Sequence, residues 1–135
     1  MAEWLKTPPP KTTTLLLDFP RKHILLITIN RPHARNAINV EGHKDGAAVF
    51  KWLDEEPTLR IAIVTGAGDK AFCAGLDLIE LADRRFKAAK QIENRGGPGF
   101  GGGFMALSTR DGKKPVIAAV NGAALGGGFE MCLNW

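Results

Sequence analysis

Two patterns of hydrophobic and polar positions run along the chain, and they separate strands from helices. Short apolar runs predict strands at Leu15–Phe19, Ile24–Ile29, Ile61–Thr65 and Val116–Val120, and the second of these is rich in β-branched residues. Apolar residues spaced by three and four predict helices over Val40–Glu55 and Asp77–Ala89, and a last helix that begins near Phe129. Strands that alternate with helices are typical of the α/β class.

The four predicted strands fall into two kinds. The first two are expected to form a hairpin around a turn at Pro20–Lys22, and Pro32 prevents the second from continuing because proline has no backbone N–H for a ladder. The last two are continuous apolar runs, which is typical of strands that are buried on both faces. In the first long helix, Gly42 and Gly46 each lower helix stability by about 1 kcal/mol relative to alanine.

Length and composition fit one small domain behind a flexible lead-in. The chain has 135 residues, of which 44% are hydrophobic and 24% are charged, so it is not a disordered tail. Residues 1–14, with Pro8–Pro10 and Thr12–Thr14, are predicted as the lead-in, and residues 15–135 as the domain. The last helix would have about two turns, which is marginal alone, so we expect residues 15–135 to be part of a longer fold.

Charge, cysteine content and hydropathy exclude several classes of protein. Lys and Arg total 18 and Asp and Glu total 14, a net charge of +4 that is scattered rather than clustered into a basic stripe, which argues against nucleic acid. Cys73 and Cys132 are too few for a disulfide-rich scaffold and are expected as buried free thiols. The uncharged run Pro115–Phe129 is shorter than the ~20 residues of a membrane span, and residues 1–10 do not resemble a signal peptide. We therefore expect a soluble intracellular protein that does not bind membranes.

No metal site is expected from the histidines and cysteines. His23, His33 and His43 lack partners at ligand spacing, so surface or structural roles are favoured. No cysteine–histidine spacing suggests zinc.

Two glycine-containing segments are candidate phosphate sites, and a plainer interpretation is favoured for both. Residues 66–71 (GAGDKA) match the dinucleotide fingerprint after a strand, but no helix signal follows until Asp77. A strand-to-loop turn is therefore preferred to a nicotinamide site. Residues 96–103 (GGPGFGGG) lack a preceding strand, so a mobile surface loop is favoured, with a lid over a site as the alternative.

The segment that joins the last strand to the last helix is the most informative. Gly126–Gly128 expose backbone amides at a helix start, where the helix dipole also favours a developing oxyanion. Glu130 follows Gly127 by about one helical turn and would lie near whatever the amides hold. Tight packing by the glycines, with Glu130 as a first-turn acid, explains these residues equally well. A second small-residue turn, residues 70–77, could aim another N–H at the same oxygen.

Three segments, taken together, resemble the enoyl-CoA hydratase/isomerase (crotonase) family. They are ITINRPHARNAI, IAIVTGAGDKAFCAGLDL and KPVIAAVNGAALGGGFEMC, and the resemblance covers most of the chain. It implies a crotonase-like spiral of ββα units, here truncated before the end of the core. It also implies a homotrimer or hexamer for full-length relatives.

The resemblance also implies the site residues. The backbone N–H groups of Leu76 and Gly127 would form an oxyanion hole for the carbonyl oxygen of an acyl-CoA thioester. Glu130 matches the first catalytic glutamate of the hydratases. The expected contacts to coenzyme A and substrate come from Ala34, Arg35, Ala74, Asp77 and Leu78.

The implied activity is hydration of a trans-2-enoyl-CoA in acyl-CoA metabolism, by glutamate acid/base chemistry. No cofactor is expected, because coenzyme A is part of the substrate. The family's second glutamate would lie beyond Trp135, so the activity of this chain stays open. An isomerase and an inactive CoA-binding fragment are the alternatives, and glutamate at position 130 favours the hydratase. Cytoplasm, mitochondrion and peroxisome are not distinguished.

Overall fold

The structure is a computed structural model that describes residues 2–80, 82, 104–107 and 110–133. In chain order, the strands are β1 (Leu15–Arg21), β2 (Ile24–Ile29), β3 (Ile61–Gly66), β4 (Ala71–Cys73), β5 (Val116–Ala118) and β6 (Ala123–Ala124). The helices are α1 (Val40–Glu55) and α2 (Gly127–Leu133), and short 3-10 turns occur at Pro32–Ala34 and Phe104–Ala106. No helix in the described part of the chain is both long and apolar enough to cross a membrane.

The predicted hairpin is confirmed, with a shifted turn. β1 pairs antiparallel with β2, from Leu15 opposite Ile29 to Arg21 opposite Ile24. β1 continues through Pro20 to Arg21, so the turn begins two residues later than predicted, at Lys22 and His23. The register is irregular between Asp18 and Arg21, which accommodates a proline that cannot donate to the ladder.

The main sheet has the order β1-β2-β3-β5, and its last three strands are parallel. The prediction that β3 and β5 are buried on both faces is wrong. Burial alternates along β3, and Ile117 of β5 is 49% exposed. The reason is position: β5 is the edge of the sheet that the described residues form, and only one face of this sheet packs into the core.

Helix α1 has the bounds that the apolar spacing predicts. The Asn39 side chain accepts a hydrogen bond from the N–H of Gly42 at 2.9 Å and caps the helix. A Cβ at Gly46 would lie 2.5 Å from the carbonyl oxygen of Met105, so this glycine lets the turn Phe104–Ala106 lie against the helix. Trp52 is buried in the core.

The lead-in makes specific contacts with the domain. Leu5 is buried, and the N–H of Lys6 and the hydroxyl of Thr7 donate to the carboxylate of Glu56. Burial alone would raise the pKa of Glu56, but hydrogen bonds from Lys6, Thr58 and Thr7 hold it below its ordinary value. The division into a flexible segment 1–14 and a domain 15–135 stays a prediction.

The second half of the chain departs from the predicted elements in detail. Residues 78–80 and 82 are helical, while the rest of the predicted helix Asp77–Ala89, and the loop 96–103, lie outside the described residues. Helix α2 begins at Gly127, two residues before the predicted start. The strands β4 and β6 are not predicted, because three and two residues are too short to carry a periodicity.

The two thiols are free, and only one is fully buried. Cys73 lies in the core, whereas Cys132 on α2 is half-buried. Burial raises the pKa of the Cys73 thiol to about 11.

Candidate active site

Two strand-to-helix turns lie side by side at one edge of a small second sheet. β4 and β6 are parallel, with Ala71 opposite Ala123 and Cys73 opposite Ala124. The pairing continues one step, where the N–H of Leu125 donates to the carbonyl oxygen of Cys73 at 3.0 Å. Because the two strands run in one direction, the turns that follow them, residues 74–77 and 125–127, leave from the same edge.

The backbone around Leu76 is held from one side only. Ile38 forms a parallel bridge with Leu76: its N–H donates to Gly75 O at 2.8 Å, and its carbonyl accepts from Asp77 N at 2.9 Å. Successive N–H groups of an extended chain point to opposite sides, so the N–H of Leu76 points away from Ile38. Among the described residues, it donates no hydrogen bond.

The N–H of Gly127 lies close to this backbone. Gly127 is the first residue of α2, and the first N–H groups of a helix have no partner within it. The carbonyl oxygen of Leu125 already accepts from Gly128 at 2.9 Å. A Cβ at Gly75 would lie 2.9 Å from that same oxygen and 3.7 Å from the nitrogen of Gly127. The two predicted donors, Leu76 and Gly127, are therefore brought onto neighbouring turns.

The glycines of the second turn also permit close packing. A Cβ at Gly128 would lie 2.3 Å from the carbonyl oxygen of Cys73, and a Cβ at Gly127 would lie 2.5 Å from the ring of Phe104. Close packing explains these glycines, and it leaves the N–H of Gly127 free to donate to a ligand.

Glu130 lies one turn into α2, on an exposed position of the helix. Its own N–H donates to the carbonyl oxygen of Gly126 at 3.0 Å. The carboxylate stands on the same short helix that begins with Gly127. The spacing of these two residues is therefore that of one helical turn, as the sequence predicts.

The predicted contacts to coenzyme A fall on two touching segments. Ala34 and Arg35 lie in and after the turn Pro32–Ala34, and the N–H of Ala74 donates to the carbonyl oxygen of Arg35 at 3.1 Å. Arg35 has a φ of 53°, in the left-handed region. Leu78 is 74% exposed, at the start of the next helical stretch.

Asp77 is engaged within the protein. Its carboxylate forms an ion pair with Arg31 at 3.0 Å and accepts hydrogen bonds from the N–H groups of Ile79 and Glu80 at 3.1 Å. Burial would raise the pKa of Asp77, but the Glu80 N–H and the hydrogen bond and charge of Arg31 hold it below its ordinary value.

Two asparagines form hydrogen bonds with the backbone of the turn between β3 and β4, and sequence reasoning missed both. Buried Asn36 donates to the carbonyl oxygens of Ala67 and Ala71, at 3.0 and 2.8 Å. From the other side, Asn121 accepts from Gly66 N at 3.0 Å and donates to Gly66 O at 2.9 Å. Both asparagines lie inside the segments that resemble the family, and that resemblance is the one sequence signal that could have identified them.

The turn Phe104–Ala106 connects α1 with the second glycine turn. His43 is buried, its Nδ1 accepts from the N–H of Met105 at 3.1 Å, and its ring meets that of Phe104 edge to face at 4.9 Å. Phe104 in turn packs on Gly127. The structural role favoured for His43 is therefore confirmed.

Comparison with known proteins identifies the family. A family model described as enoyl-CoA hydratase/isomerase matches residues 20–134. Mevalonyl-coenzyme A hydratase SIDH from Beauveria bassiana is 51% identical over 129 residues, which cover 93% of this chain and 45% of that protein. Carnitinyl-CoA dehydratase from Proteus mirabilis is 44% identical over 114 residues, with 84% and 40% covered.

A solved structure agrees with these relatives. The carnitinyl-CoA dehydratase from Mycobacterium avium 104 superposes with a TM-score of 0.74 at 40% identity, over 90% of this chain and 44% of that one. The chain thus spans somewhat less than half the length of the proteins it matches. The crotonase-like α/β fold expected from the sequence is confirmed, and the chain belongs to the enoyl-CoA hydratase/isomerase family.

Proposed function

We propose that this chain supplies the oxyanion hole and one catalytic carboxylate for the hydration of a 2-enoyl-CoA thioester. The observation that carries the proposal is the meeting of two turns, each with a backbone N–H that has no acceptor among the described residues, at Leu76 and Gly127. Membership of a family whose members act on CoA thioesters supports the choice of ligand.

The chemistry requires stabilisation of negative charge on one oxygen. When water adds its oxygen to C3 of the conjugated thioester, the electrons of the double bond move toward the carbonyl oxygen, which becomes an enolate oxygen. Two N–H donors held in place beforehand stabilise this charge, and removal of one such donor costs roughly 3 kcal/mol in comparable sites. A fixed backbone is suited to this role, because it needs no reorganisation during the reaction.

Glu130 is the proposed base for the attacking water. Its carboxylate would accept a proton from the water as the C3–O bond forms, and an acid must then deliver a proton to C2. The family resemblance assigns that second role to a glutamate beyond Trp135. We propose a trimer or hexamer as the assembly of the whole protein.

The binding of coenzyme A is proposed for the two touching segments of the site. Ala34, Arg35, Ala74 and Leu78 would contact it largely through their backbone, while the backbone at Asp77 lines the same turn. No separate cofactor enters this scheme.

A second candidate substrate is mevalonyl-CoA, in the dehydration direction. The 51% identity with a protein named mevalonyl-coenzyme A hydratase favours it. Dehydration uses the same oxyanion hole, because loss of water from a 3-hydroxyacyl thioester passes through the same enolate.

The test is turnover and binding by the purified chain, beside Glu130→Gln. Crotonyl-CoA hydration is followed as loss of enoyl absorbance, and mevalonyl-CoA dehydration as its gain. Turnover that Glu130→Gln abolishes supports a working site. Tighter binding of crotonyl-CoA than of free coenzyme A, without turnover, supports the oxyanion hole. Catalysis would then require residues of the longer protein. A folded chain that binds both ligands equally, or neither, would refute the proposed hole.

A further inference from the structure

Arg31 joins two segments that flank Leu76. One guanidinium nitrogen, Nη1, donates to the carbonyl oxygen of Ala37 at 2.6 Å, and the other, Nη2, pairs with Asp77 Oδ2 at 3.0 Å. The Arg31 and Asp77 side chains are each 14% exposed, so the pair is largely shielded from water and screened little by salt. Arginine is suited to this position because its planar fork serves two acceptors at once.

The backbone of Arg31 is itself fixed. Its N–H donates to the side chain of Asn36 at 3.0 Å, and its carbonyl oxygen accepts from Ala34 at 2.9 Å and from the N–H of Asn36 at 2.8 Å. Asn36 holds a φ of 57°, a conformation that persists where the surrounding contacts determine it. The guanidinium therefore projects from a rigid turn toward Asp77.

The two carboxylate oxygens of Asp77 have different hydrogen-bond partners. Oδ1 accepts from the N–H groups of Ile79 and Glu80, which begins the following helical stretch, and Oδ2 pairs with Arg31. Leu76 lies directly before Asp77, and its backbone is otherwise fixed by the two hydrogen bonds across the bridge to Ile38. The ion pair is thus a side-chain contact that joins the two segments of this bridge.

We propose that the Arg31–Asp77 ion pair is a positioning device that aims the Leu76 N–H at the thioester oxygen. This rests on the proposed function, which gives Leu76 its oxyanion role. Arg31 touches no reacting atom and acts through the bridge between residues 38 and 76. Its loss therefore lowers the preference for a thioester over free coenzyme A, while coenzyme A itself still binds.

A matched control exists elsewhere in the chain. Arg110 also pairs with an aspartate, Asp54, at 2.6 Å, and also donates to a backbone carbonyl, that of Lys114 at 3.1 Å. Its side chain is similarly buried, at 11% exposed. Both of its terminal guanidinium nitrogens bond to Asp54, so Arg110→Gln removes an ion pair at least as extensive, outside the candidate site.

The experiment compares Arg31→Gln, Arg31→Lys, Asp77→Asn and Arg110→Gln in the full chain. Asp77→Asn retains an oxygen for the helix cap but removes the charge that Arg31 needs. The first measurement is amide hydrogen exchange at Ile38 and Asp77, the two N–H groups of the bridge. We expect exchange about tenfold faster in Arg31→Gln and Asp77→Asn, and unchanged in Arg110→Gln.

The second measurement is the ratio of the affinities for crotonyl-CoA and coenzyme A, which a general loss of stability would not change. We expect this ratio to fall about tenfold in Arg31→Gln, and to recover in part in Arg31→Lys, whose ammonium serves one acceptor. Unchanged exchange at Ile38 and Asp77 overturns the proposal, as does an equal response to Arg110→Gln. If the wild-type chain shows no thioester preference, the proposed function fails, and the exchange rates alone decide whether the ion pair holds the bridge.

Discussion

Replacement of each of the three consecutive glycines by alanine should lower stability for a different reason. At Gly126, nothing lies within 4 Å of an added Cβ, but its φ of +54° is left-handed. At Gly127, the obstacle is the Phe104 ring, 2.5 Å away, which is a side chain that can rotate. At Gly128, the obstacle is the carbonyl oxygen of Cys73, 2.3 Å away, which belongs to the backbone of β4.

The expected magnitudes follow from these obstacles. Gly126→Ala should lower the free energy of unfolding by about 1 kcal/mol, because the left-handed penalty is partly offset by a less flexible unfolded chain. Gly127→Ala should cost about 2 kcal/mol, as the ring of Phe104 is displaced. Gly128→Ala should cost about 3 kcal/mol or more, because α2 itself must move away from β4. The free energy of unfolding of a native domain is typically ~5–15 kcal/mol, so differences of this size are measurable.

Urea unfolding of the three variants measures this order, and a double-mutant cycle tests its cause. Phe104→Ala should remove most of the cost of Gly127→Ala, since it removes the obstructing ring, and should leave the cost of Gly128→Ala unchanged. Three equal costs would refute the reasoning from contacts. A cycle in which Phe104→Ala rescues neither variant would refute the assignment of the ring as the obstacle.

Two further predictions concern titrating groups. The pKa of buried Glu56 is held below its ordinary value of 4.5, so its ionised form stabilises the fold, and we expect stability to decline as the pH falls below about 4.5. Glu56→Gln should be less stable at neutral pH and lose less between about pH 5 and pH 3, as measured by urea midpoints, and an unchanged pH slope would contradict this. The Cys73 thiol, with a pKa of about 11, should resist a thiol reagent at neutral pH until the protein unfolds. Half-buried Cys132 should react first, and equal rates in the folded protein would contradict the assignment.

The elements with long periodic patterns could be predicted from the sequence. Helix α1 shows why: sixteen residues give several turns of apolar spacing, and Asn39 and Pro57 mark its ends. The strands β4 and β6 carry no such signal. The exposure of Ile117 could not be predicted either, because a buried and an edge strand can have the same apolar composition, and only the neighbours distinguish them.

Sequence reasoning identified the two glycine-containing turns of the candidate site and Glu130, but only the resemblance singled out Leu76 and Gly127 as the donors. The proposed donors are backbone N–H groups, and the identity of Leu76 as a residue type says nothing about where its N–H points. Composition and spacing could also not predict the pairing of Arg31 with Asp77, because the two are far apart in sequence and meet only after β2, β3 and β4 are assembled. Glycine at position 128, by contrast, is explained by a single close approach.

The parallel pairing of β3 with β5 has a consequence for the order of folding. The hairpin β1–β2 joins neighbours in sequence and can close early, whereas β3 and β5 are separated by a long stretch of chain whose closure costs entropy. The turns with Leu76 and Gly127 meet only when β4 and β6 pair, which follows the same long closure. We therefore expect the candidate site to be among the last parts of the domain to form. A ligand that binds there would recognise the completed fold and stabilise it by mass action, without accelerating the early hairpin.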